Sequence, residues 1–225
     1  MTVTAPQRAP NAGPPVLGLD ALAAEIPAGA LLAVAADYSG VSMAATHALL
    51  RRGVRDLRLF CLPYSTTQAD MLIGAGCVAE VEAAAVTLGE AGRAPRFSEA
   101  VEQGRIKMRD STCPALHAAL QASEKGVPFI PLRGLIGSDI LAHRPDWRVI
   151  DNPFAVKGDP IVLIPAVQPD IALFHATKAD SEGNVWIGRR RELATMVHAS
   201  SRTLVTVEEV VDGSLYDDEA TAAGV

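Results

Sequence analysis

The chain has 225 residues with 26 acidic and 20 basic side chains, a formal charge of −6 that argues against a nucleic-acid or anionic-membrane partner. That length can bury a large core in one domain, and no apolar run is long enough to span a membrane. Cys61, Cys77 and Cys113 are widely spaced, with neither CxxC nor a histidine at metal-ligand spacing, so they read as buried free thiols in a reducing cytoplasm.

Residues 1–18, rich in Pro, Ala and Gly, are expected to form a disordered leader. Residues 19–212 are expected to form the folded domain, and 213–225, with Asp217, Asp218 and Glu219, a solvated acidic tail. A short helix over Asp20 to Ile26 is stopped by Pro27 and Gly29. Leu31 to Val34 is a short apolar strand, and the small and turn-forming residues 35–40 break it. Ser42 then stands where a helix cap belongs, Met43, Thr46, Leu49 and Leu50 share a helical face, and Gly53 is the stop. Leu57 to Leu62 completes a βαβ unit whose first loop lies at the carboxyl end of its strand, where open α/β sheets bind small molecules.

After a polar loop at Tyr64, Ser65 and Thr66, the pair Thr67 and Asp70 reads as a capping box for a helix through Ile73. Val81 to Leu88 reads as a small-residue strand, and a helix carrying Phe97, Ala100 and Val101 stops at Gly104. Arg105 to Arg109 is a polar strand near a sheet edge, and Thr112 before Pro114 starts a helix that ends at Gly126. Val127 to Leu132 is a strand, Trp147 to Ile150 and Ile161 to Ile164 form a hairpin pair, and Ile171 to Ala176 is a buried strand. Arg191 to Ala199 is a helix and Thr203 to Val207 the last strand. The alternation defines an α/β fold: an open, mostly parallel sheet with a few antiparallel members and helices on both faces.

Gly74 to Ala79 fits the dinucleotide pattern GxGxxA, but the residues before it read as a helix, so its glycines read as a helix stop. The chain lacks a Walker-type phosphate loop, GxSxG and HExxH, and His47, His117, His143, His175 and His198 are scattered. Glu90 follows a strand between Gly89 and Gly92, without a partner in helical register. A carboxylate so placed serves as nucleophile, base or hydrogen-bond acceptor, or is a solvated loop residue. Arg133 precedes a loop whose Gly137, Ser138 and Asp139 lead into a helix start, an arrangement suited to an anion.

In this order and spacing, several stretches resemble the alpha (A) chain of family I coenzyme A transferases, of the glutaconate and 3-oxoacid type. They are EIPAGALLAV, LLRRGVRDL, ADMLIGAGCVAEVEAA, APRFSEAVEQGRI, PFIPLRGLIGSDIL, VIDNPF, PDIALFHATKADSEGNVWI and LVTVEEVVD, spanning residues 19–210. The resemblance implies a CoA-transferase-like α/β/α chain that forms a heterodimer or heterotetramer with a homologous B (beta) subunit. It also implies a coenzyme A thioester as substrate rather than a resident cofactor, and a carboxylic acid as acceptor. CoA passes through a glutamyl thioester whose glutamate belongs to the partner. Ser39, Gly40, Tyr64, Ser65, Thr66, Arg133, Gly137, Ser138 and Asp139 would line the substrate cleft, with Glu90 as this chain's own catalytic group.

The family's GGFG-like loop after the first strand is replaced here by residues 35–40, AADYSG, and Glu182 does not stand in the SENG signature of the catalytic partner. Two registers for Glu90 stay open. One aligns it with the VGEN pattern of 3-oxoacid transferases; the other sets it one position from the glutamate of LEGxGLAP in related CoA-ester ring-cleaving hydrolases. The alternatives to a transferase are a hydrolase subunit or a non-catalytic, acyl-CoA-binding one.

Overall fold

The computed structural model describes residues 13–155 and 158–225. Residues 1–12 of the expected leader lie outside the described residues. The apolar runs build a sheet buried on both sides. In β1 (Leu31–Ala35), Leu32 and Val34 enter one core while Ala33 and Ala35 enter the other. In β2 (Leu57–Leu62), Leu57, Leu59 and Cys61 oppose Phe60 and Leu62 in the same way. Such two-sided burial belongs to parallel sheets covered by helices. Six strands pair in the order β11 (Arg202–Val211), β10 (Ile171–Asp180), β1, β2, β4 (Val78–Ala83), β6 (Lys107–Asp110), and every pairing is parallel.

On one face lie α1 (Leu19–Ala24), α2 (Met43–Arg52), α3 (Thr67–Gly74) and α4 (Pro95–Glu102), burying Leu22, Leu49, Leu72 and Ala100 against the strands. On the other lie α5 (Cys113–Glu124) and α7 (Arg191–Ala199), whose Leu116, Leu120, Leu193 and Met196 share the second core. The antiparallel members expected within the main sheet form a separate one: β7 (Phe129–Leu132), β9 (Pro160–Pro165) and β8 (Arg148–Asp151), with β9 in the middle. Val162 and Ile164 seat this small sheet on the second core.

Several local expectations change. The strand expected over Val81 to Leu88 begins at Val78 and ends at Ala83, and the chain then pairs β5 (Ala85–Val86) with β3 (Tyr64–Ser65). Ser42 occupies the cap position of α2, but its hydroxyl pairs with Thr206 at 2.7 Å instead of capping. Asp70 does not close a capping box with Thr67. Buried in α3, it accepts from the backbone N–H groups of Arg96 and Phe97 at 2.8 and 2.9 Å and so caps α4, while Arg96 Nη1 lies 3.0 Å from its second oxygen.

Cys113 is exposed, unlike buried Cys61 and Cys77. Gly76, at φ 69°, does end α3 as a helix stop. The acidic end folds back rather than standing in solvent. It carries the short helix α8 (Glu219–Ala222), and the Gly224 carbonyl accepts from the N–H groups of Ile187 and Gly188 at 2.7 and 2.8 Å. Charge content in the sequence reports solvation of side chains, whereas this docking is made by backbone carbonyls. Among the described residues no helix is long and apolar enough to cross a membrane, and no cluster of side chains could hold a metal ion.

Candidate active site

The carboxyl ends of parallel strands leave backbone and loop groups free to meet a ligand. After β1 the chain makes a single 3-10 turn, Asp37–Ser39, and exits through Gly40 at φ 93°. Glycine is required there, because a Cβ would fall 2.2 Å from the His175 carbonyl oxygen. The Gly40 carbonyl accepts from the His175 N–H at 2.7 Å, fastening the loop to β10.

The three side chains of the turn take three directions. Asp37 accepts from the Thr66 hydroxyl. Ser39, with no exposed surface, donates to the Glu192 carboxylate in the first turn of α7. Tyr38 stands 61% exposed between them, its ring centroid 5.9 Å from that of Tyr64 at a 51° tilt. The loop is thus pinned on both flanks and presents an aromatic pair at the opening.

Electrostatics draw α5 into the same place. Burial raises the Tyr38 phenol pKa, and the charges of Glu192, Tyr64 and Cys113 push it the same way, so Tyr38 stays a neutral donor at ordinary pH. His117, one helical turn along α5 from Cys113, is held below its ordinary pKa by burial, against an upward push from Glu192. Burial also lifts the Asp37 carboxyl, and its bond with Thr66 opposes the shift. Cys113 is the first residue of α5, which Thr112 caps by accepting from the Ala115 N–H at 3.4 Å.

The predicted residues divide into groups. Ser39, Gly40, Tyr64 and Thr66 come together around the pinned loop. Ser65 sits beneath it, buried, and its hydroxyl has no hydrogen-bond partner among the described residues. Glu90 is exposed on the turn Gly89–Ala91, and no described residue pairs with its side chain. The base of that turn is tied to the Tyr64 strand by Thr87 N–H to the Ser65 carbonyl at 3.2 Å.

Gly137, Ser138 and Asp139 lie on the loop after β7, where Ser138 accepts from the Ile140 N–H at 3.3 Å. Arg133 is not open to an anion. Its Nε and Nη2 grip Asp159 at 2.9 and 2.6 Å, and these bonds, with one from Asn152, hold the Asp159 carboxyl well below the usual range. Between this loop and the start of α5 lies a cavity of about 210 Å³, lined by Thr112, Pro114, Leu132, Gly134 and Leu135.

Glu192, His117, Tyr38 and Asp37 escaped the sequence reading. Glu192 follows three arginines at a helix start, where an acid is ordinary, and nothing in its spacing marks Ser39 as its partner.

A family model described as coenzyme A transferase matches residues 18–223. One of the two chains of the 3-oxoadipate CoA-transferase of Pseudomonas knackmussii is 34% identical over 179 residues, which are 76% of this chain and 61% of that protein. The crystal structure of glutaconate CoA-transferase from Acidaminococcus fermentans superposes with a TM-score of 0.79 at 27% identity, covering 87% of this chain and 67% of that one. The decarboxylase AibA/AibB superposes with a TM-score of 0.76 at 29% identity, covering 88% of this chain and 75% of that one. The chain spans about three-fifths of the length of the first relative. By the extent of these matches and by its fold, the chain belongs to the coenzyme A transferase family, whose members are enzymes acting on CoA thioesters.

Proposed function

We propose that this chain is the alpha-type subunit of a cytoplasmic, two-subunit CoA-transferase that moves CoA from an acyl-CoA to a carboxylic acid. A homologous beta-type partner completes the cleft in a heterodimer or heterotetramer, and its glutamate attacks the thioester and carries CoA as a glutamyl thioester before the acceptor takes it. Splitting the transfer into two covalent steps is nucleophilic catalysis. The family match over residues 18–223 carries this reading, supported by the pinned Asp37–Gly40 loop at the carboxyl edge of the sheet.

This chain's part is to wall and polarise the cleft. Tyr38 supplies a neutral phenol donor, and Glu192 fixes the loop that presents it. Glu90, on its exposed turn, accepts a hydrogen bond or assists proton transfer. The test is co-expression with the product of the adjacent reading frame, followed by turnover of acetyl- and succinyl-CoA with and without acceptor acids. Turnover that needs the acceptor establishes the transferase. Release of CoA with water alone replaces it with a hydrolase, and a stable pair that binds acyl-CoA without turnover replaces it with a binding protein.

A further inference from the structure

The cavity beside the start of α5 holds about 210 Å³, and four of its five lining residues, Pro114, Leu132, Gly134 and Leu135, offer no polar side chain. An apolar protein cavity of roughly 150 Å³ takes up benzene, so this one has room for a short hydrocarbon chain. Its polar member, Thr112, spends its hydroxyl oxygen capping α5. The cavity opens next to the pinned loop, since Thr112 and Pro114 flank the exposed Cys113, whose charge reaches Tyr38.

The surrounding cations are all engaged. Arg133, between the lining residues Leu132 and Gly134, is clamped by Asp159 at 2.6 and 2.9 Å. Arg144 donates to the Asp110 carbonyl at 3.0 Å and pairs with Glu82 at 2.8 Å and Asp146 at 2.9 Å. Arg109 pairs with Glu82 at 3.1 Å and Asp146 at 2.8 Å. A carboxylate entering the cavity would lose its water without gaining a counter-charge, which is strongly unfavourable.

We infer that this cavity is the acyl subsite, that it selects short uncharged chains from monocarboxylic acids, and that Gly134 sets its depth. The inference rests on the CoA-transferase reading and separates this chain from relatives named for 3-oxoadipate and glutaconate, both dicarboxylates. Gly134 is suited to that role because a Cβ there meets no atom within 4 Å and its φ lies outside the left-handed range, so a larger side chain costs the backbone little.

The experiment measures kcat/KM of the reconstituted pair for acetyl-, butyryl-, hexanoyl-, succinyl- and glutaryl-CoA with acetate as acceptor. Butyryl-CoA is expected to exceed succinyl-CoA by about tenfold or more, because the second carboxylate finds no partner. Gly134→Leu is expected to lower butyryl- and hexanoyl-CoA by about tenfold, the worth of two buried methylenes, while acetyl-CoA changes by less than about twofold. Leu132→Ala, which deepens the cavity, should shift the preference toward hexanoyl-CoA. A preference for succinyl- or glutaryl-CoA, or a Gly134→Leu effect equal across the series, overturns the subsite and leaves the transferase standing. If no thioester turns over, calorimetry of the pair with butyryl- and succinyl-CoA decides. Tighter butyryl-CoA binding supports the subsite without transfer, and failure to bind either removes both readings.

Discussion

Ser39 and Glu192 stand 153 positions apart in the chain and meet at the carboxyl edge of the sheet, the serine hydroxyl donating to the carboxylate. Glu192 thereby fixes the turn that carries Tyr38. Glu192→Gln and Ser39→Ala should each leave a folded protein, destabilised by about 1 kcal/mol for a lost hydrogen bond. Activity of the assembled enzyme should fall by about a hundredfold, the usual cost of displacing a cleft element by about 1 Å. Glu90→Gln measured alongside decides between the two carboxylates: full activity in Glu192→Gln with loss in Glu90→Gln would assign the role to Glu90.

His117 provides a spectroscopic check on the same cluster. Burial lowers its pKa below 6.5, against the opposing charge of Glu192. Its protonation therefore opposes folding: its contribution is complete above pH 6.5 and is lost as the pH falls through the depressed folded value. Removing the Glu192 charge should lower the His117 pKa further, read by NMR titration of the ring protons. An unchanged His117 titration in Glu192→Gln would separate the two groups.

At the opposite edge of the sheet, the buried Arg144 holds Glu82 and Asp146 and lies 4.0 Å over the Trp147 ring. Arg144→Met should cost about 3 kcal/mol in urea unfolding, because it leaves a partly buried carboxylate cluster short of a counter-charge. For Asp146, burial pushes the carboxyl pKa up, but hydrogen bonds and charge from Arg144, with help from Arg109, bring it below 3.8. The stability this contributes is present above pH 3.8 and fades as the pH drops through the lowered folded value. The acid limb of stability should therefore flatten in Arg144→Met. A limb identical to the wild type would contradict the pairing.

Asp70 joins α3 to α4 by capping the second helix from within the first. Asp70→Ala should lower stability by about 2 kcal/mol, combining a lost cap with a lost charge-assisted bond to Arg96. Thermal unfolding measures it, and a change within about 0.5 kcal/mol, typical of surface sites, would place Asp70 outside the packing.

The core of the fold was legible because strands buried on both faces read as apolar runs, as at Leu31 to Val34 and Ile171 to Ala176. Their full lengths were not. β10 and β11 continue together to Asp180 and Val211 through polar pairs such as Lys178 and Glu209, where the backbone ladder persists after the apolar pattern stops. Local rules also misplaced partners. Ser42 and Asp70 sit where caps belong, yet each reaches a residue distant in sequence, Thr206 for one and Arg96 for the other. The loops of the candidate site were found from their position after strands, whereas Glu192, His117 and the engagement of Arg133 by Asp159 depend on tertiary contacts that no spacing encodes.

Transfer through a glutamate of the partner is tested most directly by the intact mass of both chains after the purified pair meets an acyl-CoA without acceptor acid. One CoA joined through a glutamate of the partner is expected, with this chain unmodified and the adduct released when a carboxylic acid is added. An adduct on this chain, or CoA set free with neither chain modified, would contradict that mechanism.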